Sequence, residues 1–279
     1  MKIAHFSDPH ISALPDSFGA VFDKRILGTA NYLLRRRFLH DESMLVAAVD
    51  FILANPPDAV VCTGDITSTG SPREFRAAMA ILNPLTKLRD TRFVYVPGNH
   101  DAYVRDKRCA NALADAFAEL NGGGFSLGDL PVKIAVGDCE LILINEGRPT
   151  NPFMSSGTVD RAAAEKIEGM LEDKKSGVPA ILVGHLPLLT NKKPLGFRRE
   201  LRGGGREILE RLLRTGRIDL SLCGHEHVHR ADIDETGRGE IRAGAITRTG
   251  DVNLIEYDSG KDSFSLRPVD VRFDAPRES

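Results

Sequence analysis

Apolar and polar positions follow two alternating patterns along the chain. Short runs rich in Val, Ile and Leu are separated by longer stretches in which apolar side chains recur every three or four positions. The short runs predict strands, and the longer stretches predict amphipathic helices. Strands are predicted at residues 2–7, 58–63, 91–96, 132–136, 140–145, 180–184 and 220–223, and every run beyond Cys223 is strand-like.

Helices are predicted at residues 44–54, 71–82, 107–120, 158–174 and 206–214. Clear signals mark the ends of the second helix, because Ser71 is a suitable N-cap and Glu74 can complete a capping box. Pro72 suits the first helical position, where no amide hydrogen is needed. Pro84 also lacks that hydrogen and is therefore expected to end the helix near Leu82.

The order of these elements predicts an α/β fold. Strands alternate with helices up to residue 223 and only strands follow, which favours two packed sheets with helices outside. We therefore predict a four-layer αββα sandwich of two mixed sheets, with a functional site at the strand ends. No repeat or linker is visible, so residues 1–273 are expected to form a single domain and residues 274–279 a frayed tail.

Composition narrows the class of protein. A chain of 279 residues with 42% hydrophobic side chains can bury a large core without disulfides. The net charge of -2 argues against a general nucleic-acid binder, although it leaves room for local basic patches, and no specific nucleic-acid partner is expected. Residues 3–6 are too short for the core of a signal peptide, and no apolar run approaches the roughly 18 residues of a membrane span. Four cysteines without a CxxC pair predict reduced core thiols in a cytoplasmic protein: Cys62, Cys109, Cys139 and Cys223.

Five polar segments each follow a predicted strand. In an extended chain, side chains two positions apart point to the same side, so Asp8 and His10 can face one ion. The same spacing separates His225 from His227. A mixture of Asp, Asn and His ligands suits Mn²⁺, Fe²⁺ or Zn²⁺ better than Ca²⁺. The five segments are Asp8-Pro9-His10, Gly64-Asp65, Gly98-Asn99-His100-Asp101, Gly184-His185 and Gly224-His225-Glu226-His227.

In this order, the segments resemble the motifs of the calcineurin-like metallophosphoesterase superfamily: DxH, GD, GNH(D/E), H and GHxH. They extend from residue 8 to residue 227 and so cover most of the chain. The resemblance implies a centre of two metal ions, Mn or Fe, with Zn as the alternative. The implied ligands are Asp8, His10 and His227 for the first ion, Asn99, His185 and His225 for the second, and Asp65 as a bridge between both.

The resemblance also implies roles for two residues that bind no metal. His100 would lie beside the ions as a proton donor, and Asp101 would orient it. One departure from the family pattern concerns the pocket next to the ions, since many relatives follow the fourth-motif histidine with His-Pro-Pro. Here His185 is followed by Leu186 and Pro187.

This centre predicts phosphoryl chemistry. Two ions about 3.5–4 Å apart can hold both the attacking and the leaving oxygen of an in-line displacement. A hydroxide shared by the ions is the expected nucleophile, and His100 would protonate the leaving oxygen or stabilise its developing charge. His5, His40 and His229 match no motif position, and Glu226 is expected to point away from the ions.

Two basic clusters flank the motifs. Residues 24–39 combine five basic side chains with apolar ones, and this segment could be a solvated face, cover an anionic substrate or contact a membrane peripherally at its inner face. The second cluster follows His185, and arginines there suit phosphate. We predict substrate binding by Arg198, Arg199 and Arg202.

The predicted substrate is a small phosphorylated molecule with a phosphodiester or pyrophosphate bond. The chain resembles the bacterial cyclic-nucleotide phosphodiesterase branch and also the enzymes that cleave UDP-diacylglucosamine, so a lipid-linked substrate stays open. A non-catalytic scaffold is the remaining alternative. It is disfavoured because every motif ligand is present.

Overall fold

The structure, a computed structural model, describes residues 1–13, 40–150, 154–189 and 200–274. The segment 24–39 and the residues Arg198 and Arg199 lie outside the described residues. The strands are β1 (Lys2–Phe6), β2 (Ala59–Cys62), β3 (Arg92–Tyr95), β4 (Val132–Val136), β5 (Cys139–Leu143), β6 (Gly157–Thr158), β7 (Ala180–Val183), β8 (Leu201–Arg202), β9 (Leu220–Cys223), β10 (Arg230–Ile233), β11 (Gly239–Arg242), β12 (Asp251–Asp258) and β13 (Ser263–Asp270).

The strands form two large mixed sheets, as predicted. One has the order β13-β12-β1-β2-β3, and the other has the order β10-β11-β9-β7-β5-β4. In the first sheet, β1 is parallel to β2 and antiparallel to β12. In the second, β7, β9 and β11 run parallel, while β4 and β10 are antiparallel edge strands. The short β6 and β8 pair with each other.

Helices cover the outer face of each sheet. They are α1 (Glu42–Ala54), α2 (Pro72–Thr86), α3 (Lys107–Leu120), α4 (Arg161–Met170), α5 (Arg206–Arg214), α6 (Ile246–Thr249) and α7 (Val271–Asp274). Side chains of α1, α2 and α3 pack on the first sheet, and those of α4 and α5 pack on the second. The arrangement is the predicted four-layer αββα sandwich.

Strand periodicity explains the layers. Successive side chains of a strand point to opposite faces. In β2, Val61 packs between the two sheets, whereas Val60 and Cys62 pack against the helices of the first sheet. In β7, Val183 lies between the sheets, and Leu182 packs towards α4 and α5. Because both faces are buried, these strands are continuous apolar runs.

The second helix confirms one end signal and corrects the other. The Ser71 side chain accepts from the Glu74 amide, and the Glu74 carboxylate accepts from the Ser71 amide, which completes the capping box. The predicted end near Leu82 is wrong, because the helix continues through Pro84 to Thr86. Leu85 is fully buried in the core, and its packing outweighs the one backbone hydrogen bond that Pro84 removes.

Other elements also differ from their predicted boundaries. The fourth helix begins after the N-cap Asp160 and ends at Met170, so it is shorter than residues 158–174. The region beyond Cys223 is not purely strands, because it contains α6 and α7. Of the predicted tail, residues 275–279 lie outside the described residues, and Asp274 is the last residue of α7. The four cysteines are buried and free, as predicted.

Among the described residues, no helix combines the length and the apolar character needed to cross a membrane.

Candidate metal centre

The loops that follow β1, β2, β3, β7 and β9 meet at one edge of the two sheets. They bring together all seven predicted metal ligands. Five of these residues have a left-handed backbone, with φ of 56° at Asp8, 50° at His10, 52° at Asp65, 69° at His225 and 58° at His227. Such a conformation costs a non-glycine residue about 1–3 kcal/mol and is concentrated at functional sites. The surrounding structure therefore holds this loop cluster in place.

Asp8, His10 and His227 form the first group. The Nε2 atoms of His10 and His227 are 2.8 Å apart. Asp8 Oδ1 lies 3.4 Å from His10 Nε2 and 3.2 Å from His227 Nε2. Asp8 and His10 are buried, whereas the His227 side chain is 23% exposed. The first group therefore opens to solvent on the His227 side.

Asn99, His185 and His225 form the second group. His185 Nε2 lies 3.2 Å from Asn99 Oδ1 and 3.3 Å from His225 Nδ1. The other ring nitrogen of His185 is 2.7 Å from the Thr63 carbonyl oxygen, so it carries the hydrogen and donates it. In the neutral ring this leaves a lone pair on Nε2, which is the atom that faces the group.

Asp65 lies between the two groups. Its Oδ2 atom is 3.8 Å from His10 Nε2 and 3.3 Å from His185 Nε2. Its Oδ1 atom accepts a 2.6 Å hydrogen bond from the His100 amide. One carboxylate oxygen therefore faces a histidine from each group, which is the position that a bridging ligand needs.

The donor set fits a pair of cations. Asp8 Oδ1 and Asp65 Oδ2 are buried and have no hydrogen-bond partner within the described part of the chain. In each carboxylate the other oxygen is held by a backbone amide: Asp8 Oδ2 accepts from His225, and Asp65 Oδ1 accepts from His100. A buried anionic oxygen without a donor is costly unless a cation compensates it. Residues 8, 10, 65, 185, 225 and 227 all belong to the His/Asp groups whose atoms converge closely enough to hold metal.

Electrostatics favour the same interpretation. Burial alone would raise the pKa of Asp65, but the histidines around it, His185 foremost, hold its pKa well below the usual range. Burial would lower the pKa of His185, yet the Asp65 charge raises it to about 10. Burial, together with the neighbouring His185 charge, lowers the pKa of His225 to about 3. Without metal, His185 therefore retains a proton that His225 lacks. Metal binding must release the proton of His185, because a histidine ligand is neutral.

Two glycines allow the loops to approach this closely. A Cβ atom at Gly98 would overlap the Asp65 side chain, and one at Gly224 would overlap Ser7 and Asp8. The glycines of the GNHD and GHxH segments are therefore required by close packing against the first two motifs.

His100 lies at the edge of the centre. Its ring is 4.8 Å from the His10 ring and stacks on Tyr103 at 5.2 Å. His100 Nδ1 is 2.6 Å from the Ser68 carbonyl oxygen, which can only accept. Nδ1 therefore carries a hydrogen, and the ring orientation is fixed by a backbone contact.

Asp101 is buried between the GD and GNHD loops and contacts both of them. Its carboxylate accepts hydrogen bonds from the amides of Ile66, Thr67 and Gly98 and from the hydroxyls of Thr67 and Tyr95, at 2.9–3.3 Å. None of these partners is the His100 ring. Burial, together with the nearby Asp65 charge, raises the pKa of Asp101 to about 6. Asp101 holds the backbone of the GD and GNHD loops and could orient His100 only through that backbone.

Two residues near the ligands were not predicted from the sequence. Glu146 is buried, and its Oε2 accepts from the amides of His185 and Leu186 at 2.6 and 2.7 Å. Burial raises the pKa of Glu146 to about 7. Its position just after a predicted strand, like that of the motif residues, was the available signal.

His40 is the second residue that was missed. Its ring lies 5.3 Å from the His10 ring and 6.2 Å from the His227 ring. Its Nδ1 atom is 2.7 Å from the Thr247 hydroxyl, which donates its own hydrogen to the Pro9 carbonyl. Nothing in the spacing of the sequence indicates this position, because it depends on α6, which was not predicted.

The remaining candidates lie around the centre. His5 is buried and contacts the Thr63 hydroxyl at 3.0 Å, and His229 is half-buried. Glu226 was predicted to point away from the ions, and its carboxylate pairs with Arg242. Arg202 is exposed on β8, and it is the one member of the predicted arginine triad that the structure describes.

Comparisons with known proteins agree with the geometry. The family model for calcineurin-like phosphoesterases matches residues 1–229. A glycerophosphodiester phosphodiesterase of Enterobacter lignolyticus is 24% identical over 81% of this chain and 71% of its own. A probable cyclic nucleotide phosphodiesterase of Vesicomyosocius okutanii is 27% identical over 50% of this chain and 67% of its own. Another curated relative is matched over 27% of its own length.

Solved structures show the same fold. The dimetal phosphatase of Danio rerio superposes with a TM-score of 0.62 at 15% identity, covering 95% of this chain and 98% of its own. The matched residues include the strands β1 to β9 and all five motif segments. The chain therefore belongs to the calcineurin-like phosphoesterase family, whose members are metal-dependent hydrolases.

Proposed function

We propose that this protein hydrolyses a phosphodiester bond in a small molecule with two metal ions held by Asp8, His10, Asp65, Asn99, His185, His225 and His227. The observation that carries the proposal is the placement of Asp65, whose buried Oδ2 atom faces a histidine from each ligand group. A single carboxylate between two groups of ligands suits two ions better than one. Mn or Fe fits the ligand types, with Zn as the alternative.

The metal ligands, His100 and Asp101 have different roles in the proposed reaction. When bound, the two ions would neutralise the phosphate charge and activate a water molecule as the nucleophile. His100, fixed by the Ser68 carbonyl, would donate a proton to the leaving oxygen or stabilise its charge. Asp101 would keep the GD and GNHD loops in register through its bonds to Thr67 and Gly98.

The choice of substrate follows the relatives. Two relatives are matched over two thirds or more of their own length, and both are named as phosphodiesterases. One name refers to glycerophosphodiesters and the other to cyclic nucleotides. These two classes lead the proposal. The pyrophosphate bond of a UDP-diacylglucosamine-type lipid is the alternative, with peripheral contact of the cytoplasmic membrane face through residues 24–39.

We further propose one domain for residues 1–273, supported by a core cluster that both sheets share.

A substrate panel tests this function. The purified protein, stripped of metal and reloaded with Mn²⁺, is assayed with glycerophosphodiesters, cyclic nucleotides, acylated and non-acylated UDP-sugars, and aryl mono- and diesters. We expect diesters to be cleaved faster than monoesters, and the metal-free protein to be inactive. Hydrolysis of none of these substrates, with two ions bound, would favour the non-catalytic scaffold. Preference for an acylated UDP-sugar would establish the alternative.

The predicted arginine triad has a separate test. Alanine at Arg198, Arg199 and Arg202 together should raise KM for the preferred substrate about tenfold or more, because each charged hydrogen bond contributes roughly 1.5–3 kcal/mol. A small aryl diester offers no second polar group to hold, so its KM should stay within about twofold.

A matched triple variant provides the control. Arg161, Arg211 and Arg214 are exposed helical arginines that pair with Glu165, Glu168 and Glu210. Their replacement by alanine should leave both KM values unchanged. Equal losses on both substrates in the first variant would indicate damage to the metal centre, and no loss on any substrate would assign the triad to the solvated surface.

A further inference from the structure

Arg242 is a buried arginine close to two of the ligand loops. It ends β11, and its side chain is 3% exposed. Its guanidinium donates to the Glu226 carboxylate, to the Leu189 carbonyl at 2.7 Å, to Glu240 Oε1 at 3.1 Å and to Asp232 Oδ2 at 3.4 Å. Arginine is suited to such a role because its planar fork can hold several acceptors at fixed angles.

The loop that follows His185 is bound by carboxylates along its length. The amides of His185 and Leu186 donate to Glu146, and the Leu188 amide donates to Glu240 at 2.7 Å. The Leu189 amide also donates to Glu240 at 3.2 Å. The remaining residue of the loop is a proline, which has no amide hydrogen. Every backbone donor from residue 185 to residue 189 therefore has a buried carboxylate as its acceptor.

Arg242 connects this loop to the turn that carries His225 and His227. On one side it holds the carbonyl of Leu189 and the carboxylate of Glu240. On the other side it holds Glu226, the residue between the two histidines. His225 and His227 both have left-handed backbones, so this turn needs support from its surroundings. The Glu226 contact supplies such support from outside the ligand set.

The two connected loops supply two ligands of the same predicted ion. His185 and His225 belong to the second group, and their facing nitrogens are 3.3 Å apart. The first group takes Asp8 and His10 from the opposite sheet and shares only His227 with the Arg242-bound turn. A change at Arg242 should therefore affect the second ion more than the first.

We propose that Arg242 is a positioning residue that sets the separation of His185 and His225 for the second metal ion. The inference rests on the proposed two-metal function. Residues that orient metal ligands from outside the ligand set typically change metal affinity by about 10- to 100-fold when they are replaced. Without the guanidinium, the turn at Glu226 and the loop at Leu189 lose their common partner.

Arg238, just before the same strand, provides a matched control. It directly precedes β11 at the end opposite Arg242, and its guanidinium pairs with Asp219 at 3.2 Å and Asp262 at 2.7 Å. It contacts neither ligand loop through these bonds. An Arg238→Met variant therefore loses a comparable ion-pair network without touching the connection between the loops.

The experiment measures stepwise binding of Mn²⁺ by calorimetry and of Co²⁺ by its visible spectrum, using wild type, Arg242→Met and Arg238→Met. In Arg242→Met we expect the Kd of the second ion to rise about 10- to 100-fold and that of the first ion less than about threefold. The Co²⁺ spectrum of the second ion should change as well. Arg238→Met should keep both Kd values within about twofold of wild type, even if its Tm falls.

Two further variants protect the test against misfolding. Arg242→Lys keeps the charge without the planar fork, and Glu226→Gln removes the charge of the partner on the histidine turn. Both variants should raise the Kd of the second ion by about 3- to 10-fold, which is less than the increase expected for Arg242→Met. Unchanged affinity for the second ion in all three variants would overturn the role of Arg242 and leave the two-metal proposal intact. Fewer than two ions bound by wild type would instead refute the proposed function.

Discussion

Replacement of Asp65 by Asn is expected to lower kcat by roughly 10³-fold or more, because loss of metal assistance removes several kcal/mol of transition-state stabilisation. An amide oxygen is neutral and compensates two cations poorly. The Asp65 Oδ2 atom faces His10 at 3.8 Å and His185 at 3.3 Å, so both groups of ligands lose the same charge. Metal analysis of the purified variant should give fewer than two ions per chain.

A second aspartate controls for the substitution itself. Asp160 caps α4 by accepting from the Ala163 amide, and asparagine caps helices about equally well. Asp160→Asn should therefore keep full activity and both ions. Asp65→Asn with wild-type activity and two ions would show that Asp65 does not bridge the centre.

Replacement of His100 by Ala is expected to lower kcat by roughly 10²- to 10⁴-fold, the range for a proton-transfer group, while both ions remain bound. The Ser68 carbonyl and the Tyr103 ring hold the imidazole beside His10, at the edge of the proposed metal centre. An aryl diester with a very acidic leaving group should be affected much less, because its leaving oxygen needs little protonation.

Metal content is the decisive second measurement for His100. Its ring lies close enough to His10 and Asp65 to form a third His/Asp group. If His100→Ala lost an ion in parallel with activity, His100 would be a ligand and the assignment of a proton donor would be wrong. Equal losses on substrates with good and poor leaving groups would argue against proton transfer in particular.

The local elements could be predicted from the sequence because local chemistry decides them. The helix over Lys107–Leu120 and the strand over Leu220–Cys223 have the predicted boundaries. The capping box at Ser71 and Glu74 formed as expected, since its partners are three residues apart. The predicted end of that helix was wrong, because burial of Leu85 by distant residues overrides the local effect of Pro84.

The order of motifs was likewise visible in the sequence, including every candidate metal ligand from Asp8 to His227. Strand periodicity and the strand-end positions predicted that these side chains could face one site. What could not be predicted is what holds them there. Asp101 was expected to orient His100, and nothing in the sequence indicated that its carboxylate binds the backbone of two loops.

The sequence by itself therefore determined the layers of the fold and the chemical types at its strand ends, because both depend on patterns within a few residues. The tertiary structure alone decided the support of the site. Glu146, Glu240 and Arg242 hold ligand loops from 39 to 53 positions away in the chain. His40 reaches the centre through Thr247, 207 positions away. Such contacts arise from the packing of two sheets, and no local spacing in the sequence encodes them.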